Sequence, residues 1–184
     1  EARIQQALAQ FTRSMISSAS RWDTAYAQVF SATGPNRNLN VALPGFSASE
    51  ELGHQLFMTG RGQGGAGCAA CHQPPTFALA ANSLSNGLDA NETIIFKSPS
   101  LKNVGLSRAF MHDGRFSTLE QVIEHYNSGI QNGPALDNRL KTPAGAPLRL
   151  NLTANEKAAL VAFLLTLNDG SLTTDAKFSD PFKK

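Results

Sequence analysis

Cysteine is scarce in this chain of 184 residues: there are two, Cys68 and Cys71. Two thiols exclude a framework of several disulfides. They also leave a closed four-ligand zinc site short, because His54, His112 and His125 lie far apart in sequence and form no second pair. Charge of one sign is equally scarce. Sixteen Lys and Arg stand against fourteen Asp and Glu, a formal net charge of +2. The basic residues are scattered, which argues against a nucleic-acid stripe or a polybasic membrane segment. No apolar run approaches the ~20 residues of a transmembrane helix. Internal repeats are absent, and no signal peptide is visible: the chain opens on Glu1-Ala2-Arg3-Ile4, already in a helical pattern. The length is enough for one domain with its own core.

What is there is the run Cys68-Ala69-Ala70-Cys71-His72. C-x-x-C-H is the attachment signature of c-type haem. Two thiols form thioethers with the vinyl groups on a rigid ring, and the following histidine supplies a proximal imidazole to the iron. Other readings are weaker. A thioredoxin-like motif sits near a βαβ pattern, which is absent here, and a disulfide across two intervening residues closes a strained small ring. One covalent haem c is therefore expected, held by Cys68, Cys71 and His72. Covalent attachment takes place outside the bacterial cytoplasm, so a mature or trimmed periplasmic protein is the expectation.

The rest of the chain reads as helices joined by long loops. Ile4, Ala7, Leu8, Phe11 and Met15 follow a one-sided helical period that should stop near Ser17-Ser18, with Trp22 and Tyr26 on a second short turn. Gly34 to Asn38 reads as a linker, closed by Pro44-Gly45. Ser47 and Glu50 have capping-box spacing before Leu52, Leu56 and Phe57. The glycines from Gly60 to Gly67 lack the G-K-[ST] ending of a phosphate loop and suit a backbone that comes close to a haem edge. Pro74-Pro75 forbids further helix. Residues 76–110 read as loop, with Thr93 to Phe96 the one strand-like run. Ser117 and Glu120 read as a capping box for a helix with Leu119, Val122, Ile123 and Tyr126 on one face. Thr153 and Glu156 open a last helix, with Leu160, Val161, Phe163, Leu164 and Leu167 apolar, ended by Asp169-Gly170. The tail from Ser171 to Lys184 lacks periodicity and should lie on the surface. The expected fold class is all-α: a cytochrome c-like helical domain with long loops around one haem.

The sixth iron position stays open on these grounds. Met58, Met111, Tyr126, His112, His125 and no ligand at all are the candidates. Methionine favours a high potential and electron transfer, tyrosinate favours ferric iron, and an open position suits peroxide.

Ser98-Pro99-Ser100-Leu101-Lys102-Asn103-Val104-Gly105-Leu106, then Phe110-Met111-His112-Asp113-Gly114-Arg115-Phe116, then Thr118-Leu119-Glu120-Gln121-Val122-Ile123-Glu124-His125-Tyr126 form a dense series. With Leu152 to Leu167 and the ending Phe178-Ser179-Asp180-Pro181-Phe182, it resembles the bacterial di-haem cytochrome c peroxidases, and most closely their MauG-like branch. The resemblance covers nearly the whole chain. It implies the C-terminal of two haem domains (residues 47–184), preceded by residues 1–46, a helix and linker similar to the segment that closes the N-terminal domain. The N-terminal haem motif is absent, so the second haem domain is expected in a longer chain or another chain, the remaining option being a protein that works with one haem.

By position, the resemblance makes Tyr126 the favoured distal ligand opposite His72, with Met111 the alternative. It implies an electron-sharing haem, with hydrogen peroxide meeting the other one, and a small cytochrome or cupredoxin as redox partner. Tyr126 and Trp22 become candidate electron-relay residues, Trp22 being as readily a packing residue. His112 and Arg115 become candidate contacts to the haem propionates or their waters. Backbone carbonyls of Ser107 and Ala109 fall where relatives bind an interdomain calcium, although the family's proline is missing there. The competing reading is a mono-haem electron-transfer cytochrome with a methionine ligand and no catalysis of its own; a third is a binding module that keeps haem for structure.

Overall fold

A computed structural model describes residues 2–79, 82–180 and 182. Its order is α1 (Ala2–Ser14), α2 (Arg21–Val29), α3 (Ala48–Met58), a two-residue hairpin β1 (His72–Gln73) with β2 (Ala78–Leu79), α4 (Leu119–Glu124), α5 (Ala154–Leu165) and α6 (Ser171–Thr174). The fold is all-α and cytochrome c-like, with single 3-10 turns spaced along the loops.

Local sequence sets the helix starts. Ser47 caps α3 and Thr153 caps α5, each in a reciprocal box with Glu50 and Glu156. Ser20 and Asp23 do the same for α2. The α4 box lies one residue later than the spacing suggested, at Thr118 and Gln121 instead of Ser117 and Glu120. The Gln121 amide oxygen accepts from the backbone N–H of both Ser117 (2.8 Å) and Thr118 (3.3 Å), which a glutamate at position 120 does not do here.

The core is the crossing of α3 and α5. Gly53 lies so close that a Cβ there would stand 1.9 Å from the Ala159 carbonyl oxygen. That approach lets Phe57 and Phe163 meet at 5.2 Å between centroids. Phe77, fully buried, joins both rings from the hairpin connection at 5.7 and 6.1 Å. Trp22 completes the cluster from α2.

Two further expectations change. Thr93 to Phe96 forms no strand, and Ile94, Ile95 and Phe96 are exposed; among the described residues the β-branched run has no neighbouring strand to pair with. The strand pairing that exists is the short antiparallel hairpin, His72 opposite Leu79. The last long helix stops at Leu165, before Asp169-Gly170, because Asp169 turns to accept from Ser18 N, Ala19 N and Ser171 N at 3.0 Å each. The tail is exposed or half-buried and carries α6 and a 3-10 turn (Ala176–Phe178). Pro181, Lys183 and Lys184 of that tail, and Glu1 at the other end, lie outside the described residues. No described helix is long and apolar enough to cross a membrane.

Candidate haem site

Two adjoining cavities, of about 460 Å³ and about 180 Å³, share Cys68, His72, Asn86, Ser98 and Tyr126 in their walls. The larger is walled by Phe57 of α3, by Leu160 and Leu164 of α5, by the α4 face, Leu119, Val122 and Ile123, and by Tyr126 just beyond it. Its size and apolar walls suit a cofactor. The smaller holds Cys71 and the loop residues Gly60, Arg61, Ala66 and Gly67. Gly67 has φ +73°, a left-handed turn that delivers the chain into the 3-10 turn Cys68–Ala70. Thus both thiols and His72 come from one tight loop, and Tyr126 from the opposite side of the sequence.

The chemistry of this donor set fits a c-type haem. His72 Nδ1 is buried with no hydrogen-bond partner among the described residues. Burial pushes the imidazole down to about 4, with the backbone of Phe77 and Pro99 opposing in part, so it is neutral and able to bind metal at neutral pH. Burial pushes the Cys68 thiol up to about 12, so it is held as S–H at neutral pH. Burial likewise pushes the Tyr126 phenol up to about 12, the Asn86 side chain pulling the other way.

Tyr126 sits in a π-helical turn, His125–Gly129, that continues α4. Such turns recur at functional sites. His125, beside it, is buried and donates from Nε2 to the Asn86 carbonyl at 3.1 Å, which takes its ring away from the cavity wall. Met111, at φ +70°, lies on the larger cavity with its sulfur accepting from Asn86 Nδ2 at 3.2 Å. Met58 is half-buried and packs against the core cluster, off both walls.

The remaining candidates scatter. Ser107, Ala109 and His112 line the larger cavity, and the His112 ring stacks on Phe96 at 3.7 Å. Arg115 is not brought to either wall. It forks onto Asp89 at 2.9 Å twice and onto Asp113 at 2.6 Å, out towards solvent, because two carboxylates outcompete the cavity for its guanidinium. Trp22 is off the walls as well. It stacks on Tyr26 at 4.7 Å, meets Phe77 edge-on at 4.8 Å, and takes Lys102 Nζ over its ring at 5.1 Å. Two residues that motif reading passed over are Asn86, which touches His125 and Met111 and faces Tyr126, and Arg139, which grips the C-A-A-C-H loop. Neither has a local signal, since their partners are distant in sequence.

The family model described as di-haem cytochrome c peroxidase matches residues 47–171. The chain belongs to the di-haem cytochrome c peroxidase family. Within it the resemblance is MauG-like. Over 175 residues it is 31% identical to the methylamine utilization protein MauG of Methylorubrum extorquens, covering 88% of this chain and 42% of that protein. Over 187 residues it is 27% identical to the MauG protein of Methylophilus methylotrophus, covering 95% of this chain and 49% of that one. A solved MauG-like protein, described as associated with microbial copper homeostasis, superposes with a TM-score of 0.63 at 30% identity, over 91% of this chain and 53% of the other. The chain spans less than half the length of these curated relatives. The family implies c-type haem as cofactor.

Proposed function

We propose that this chain is the C-terminal, electron-sharing half of a MauG-like di-haem oxidoreductase that works with hydrogen peroxide in the periplasm. One observation carries the reading: His72, both cysteines and Tyr126 share the walls of one cavity. Cys68 and Cys71 would tether the haem, His72 would be its proximal ligand and Tyr126 its distal one. Bound there, the haem supplies one-electron redox chemistry. The apolar faces of α4 and α5 line the larger cavity and, with the haem filling it, would favour a low-dielectric electrostatic environment. Tyr126 must lose its phenolic proton to act as phenolate, and its burial keeps that proton in place until a cation is present.

The division into residues 1–46 and 47–184 belongs to the same proposal. The apolar stripe of α1 supports it, because Ile4 and Leu8 are 60% exposed or more and would suit cover by a second haem domain. Ser107 and Ala109 would offer carbonyls to a calcium at that junction, and His112, on the cavity wall, would meet a propionate. Trp22 would relay electrons through the packed Tyr26 and Phe77 rings. A small cytochrome or cupredoxin would be the redox partner. The methionine-ligated alternative rests on Met111 lining the larger cavity, and its sulfur is already engaged by Asn86.

The deciding experiment is Tyr126→Phe in the haem-loaded chain. The ferric absorption spectrum should change and the midpoint potential should rise, since an anionic oxygen that favours ferric iron is removed. An unchanged spectrum and potential, with Met111→Leu altering both, would assign the ligand to Met111. Haem-to-chain stoichiometry in the native complex then counts the second haem.

A further inference from the structure

Arg139 stands in none of the motifs, yet its guanidinium joins three segments. Nε and Nη2 fork onto the two oxygens of Asp137 at 2.9 and 2.8 Å. Nη2 also donates to Ser83 Oγ at 2.8 Å, and Nη1 donates to the Ala70 carbonyl at 2.8 Å. Ala70 lies between the two cysteines, so this bond holds the backbone of C-A-A-C-H itself. Asp137 is buried and firmly placed. It accepts from Leu84 N and Arg139 N at 2.8 Å each, and its own N–H donates to the Ser85 carbonyl at 2.9 Å. The guanidinium holds the Asp137 carboxyl down to about 2, so the fork persists through the physiological range.

We propose that Arg139 is a positioning residue for covalent cofactor attachment: anchored on Asp137, it pins the Ala70 carbonyl and so sets the separation and direction of the Cys68 and Cys71 thiols. This rests on the reading that those cysteines carry haem. Attachment is redox-neutral. Each S–H adds across one vinyl C=C; an S–C bond forms at the inner vinyl carbon, and the hydrogen ends on the outer carbon, which becomes a methyl group. A rigid ring fixes the distance between the vinyls, so after one thioether has formed the second depends on where the loop holds the other thiol. Small misplacements are costly in such intramolecular reactions. The planar fork suits arginine because a lysine can satisfy one of these acceptors well but not the carboxylate, the hydroxyl and the carbonyl together.

The test matures the chain in a bacterial host with a haem-attachment apparatus. Intact mass and the reduced pyridine haemochrome spectrum then count haems and thioethers. In Arg139→Gln the doubly attached fraction should fall by about tenfold, the low end for losing an outer-shell partner of a ligand site, with singly attached chains taking its place. Asp137→Asn should move the same way and Arg139→Lys should lie between. Arg149→Gln is the control, since that guanidinium holds the Ile130 and Leu148 carbonyls at 3.0 and 2.8 Å, on the wall of the smaller cavity but with no bond to the motif itself. It should keep two thioethers per haem in whatever chain is recovered. If Arg139→Gln folds poorly, Arg139→Lys and the thioether ratio in the soluble fraction carry the test. Two thioethers at the native proportion in the Arg139 variants, or an equal loss in Arg149→Gln, would overturn the proposal. A native chain with no covalent haem would overturn the reading beneath it instead.

Discussion

Helices α1 and α3 both carry an apolar stripe, and only α3 buries it. Leu56 and Phe57 of α3 are 5% and 2% exposed, while Ile4, Leu8 and Phe11 of α1 remain 66%, 60% and 46% exposed. The periodicity is as clear in α1 as in α3. The difference is the neighbour. α3 meets α5 across Gly53, where backbone approaches backbone. α1 reaches the rest of the described chain through Phe11, edge-on to Phe178 at 6.0 Å. An apolar stripe says that a helix has a face to bury, and each large side chain on it gains about 1.5–3 kcal/mol when covered. The stripe does not name the surface that covers it, which on the proposed reading is a second haem domain.

That contrast can be broken most sharply on the α5 side. Phe163→Ala should cost about 4 kcal/mol, since Phe163 is fully buried against Phe57, Phe77 and His54. Denaturant unfolding of the haem-loaded chain measures it. A loss below about 1 kcal/mol would mean that the core closes elsewhere.

Gly53→Ala follows, at about 3 kcal/mol. Its new methyl would collide with the Ala159 carbonyl, which is backbone and cannot swing aside. The same substitution at Gly45, where a Cβ meets nothing within 4 Å, isolates the strain of a positive φ (+76°) from that collision.

The third effect is on acid stability. Arg139 holds Asp137 at about 2 in the folded chain, against an ordinary value of 3.8. A depressed carboxylate stabilises the fold above the unfolded value and loses that contribution as pH falls through the folded one. The shift corresponds to about 2 kcal/mol present near neutrality and lost between about pH 4 and pH 2. Comparing acid titrations of Asp137→Asn and the native chain measures it, and parallel curves through that window would remove the linkage.

The smallest effect is on α1. Leu8→Glu in this chain should change stability by no more than about 0.5 kcal/mol, as for exposed sites generally. With the second haem domain present, the same change should weaken their association by about 2 kcal/mol. Equal, negligible effects in both settings would leave the α1 stripe without a partner of that kind.

Legibility in the sequence followed range. The capping boxes of α3 and α5 are local, four residues long, and were readable in place. The α4 box was misplaced by one because Ser117 and Thr118 are adjacent hydroxyls, and only the reach of Gln121 chooses between them. Thr93 to Phe96 is strand-like by composition, but a strand needs a partner, and none lies alongside among the described residues. Arg139 and Asn86 were invisible for the same reason at longer range: Arg139 meets Ala70 across 69 residues, and Asn86 meets His125 across 39. Arg115, by contrast, drew notice from its motif and is held by Asp89, 26 residues away.

On the proposed reading the attachment chemistry is written in five consecutive residues, Cys68 to His72, because two thiols and an imidazole serving one rigid ring must be close along the chain. The helix starts are equally local, since a cap is a bond between a side chain and backbone three residues on. The cavity belongs to tertiary structure alone. Tyr126 shares a cavity wall with the Cys68–His72 loop because α4, packed against α5, continues into a π-turn, and Arg139 reaches Ala70 because Asp137 is buried there. Those contacts join residues tens of positions apart, and folding, which trades chain entropy for burial, is what brings them together.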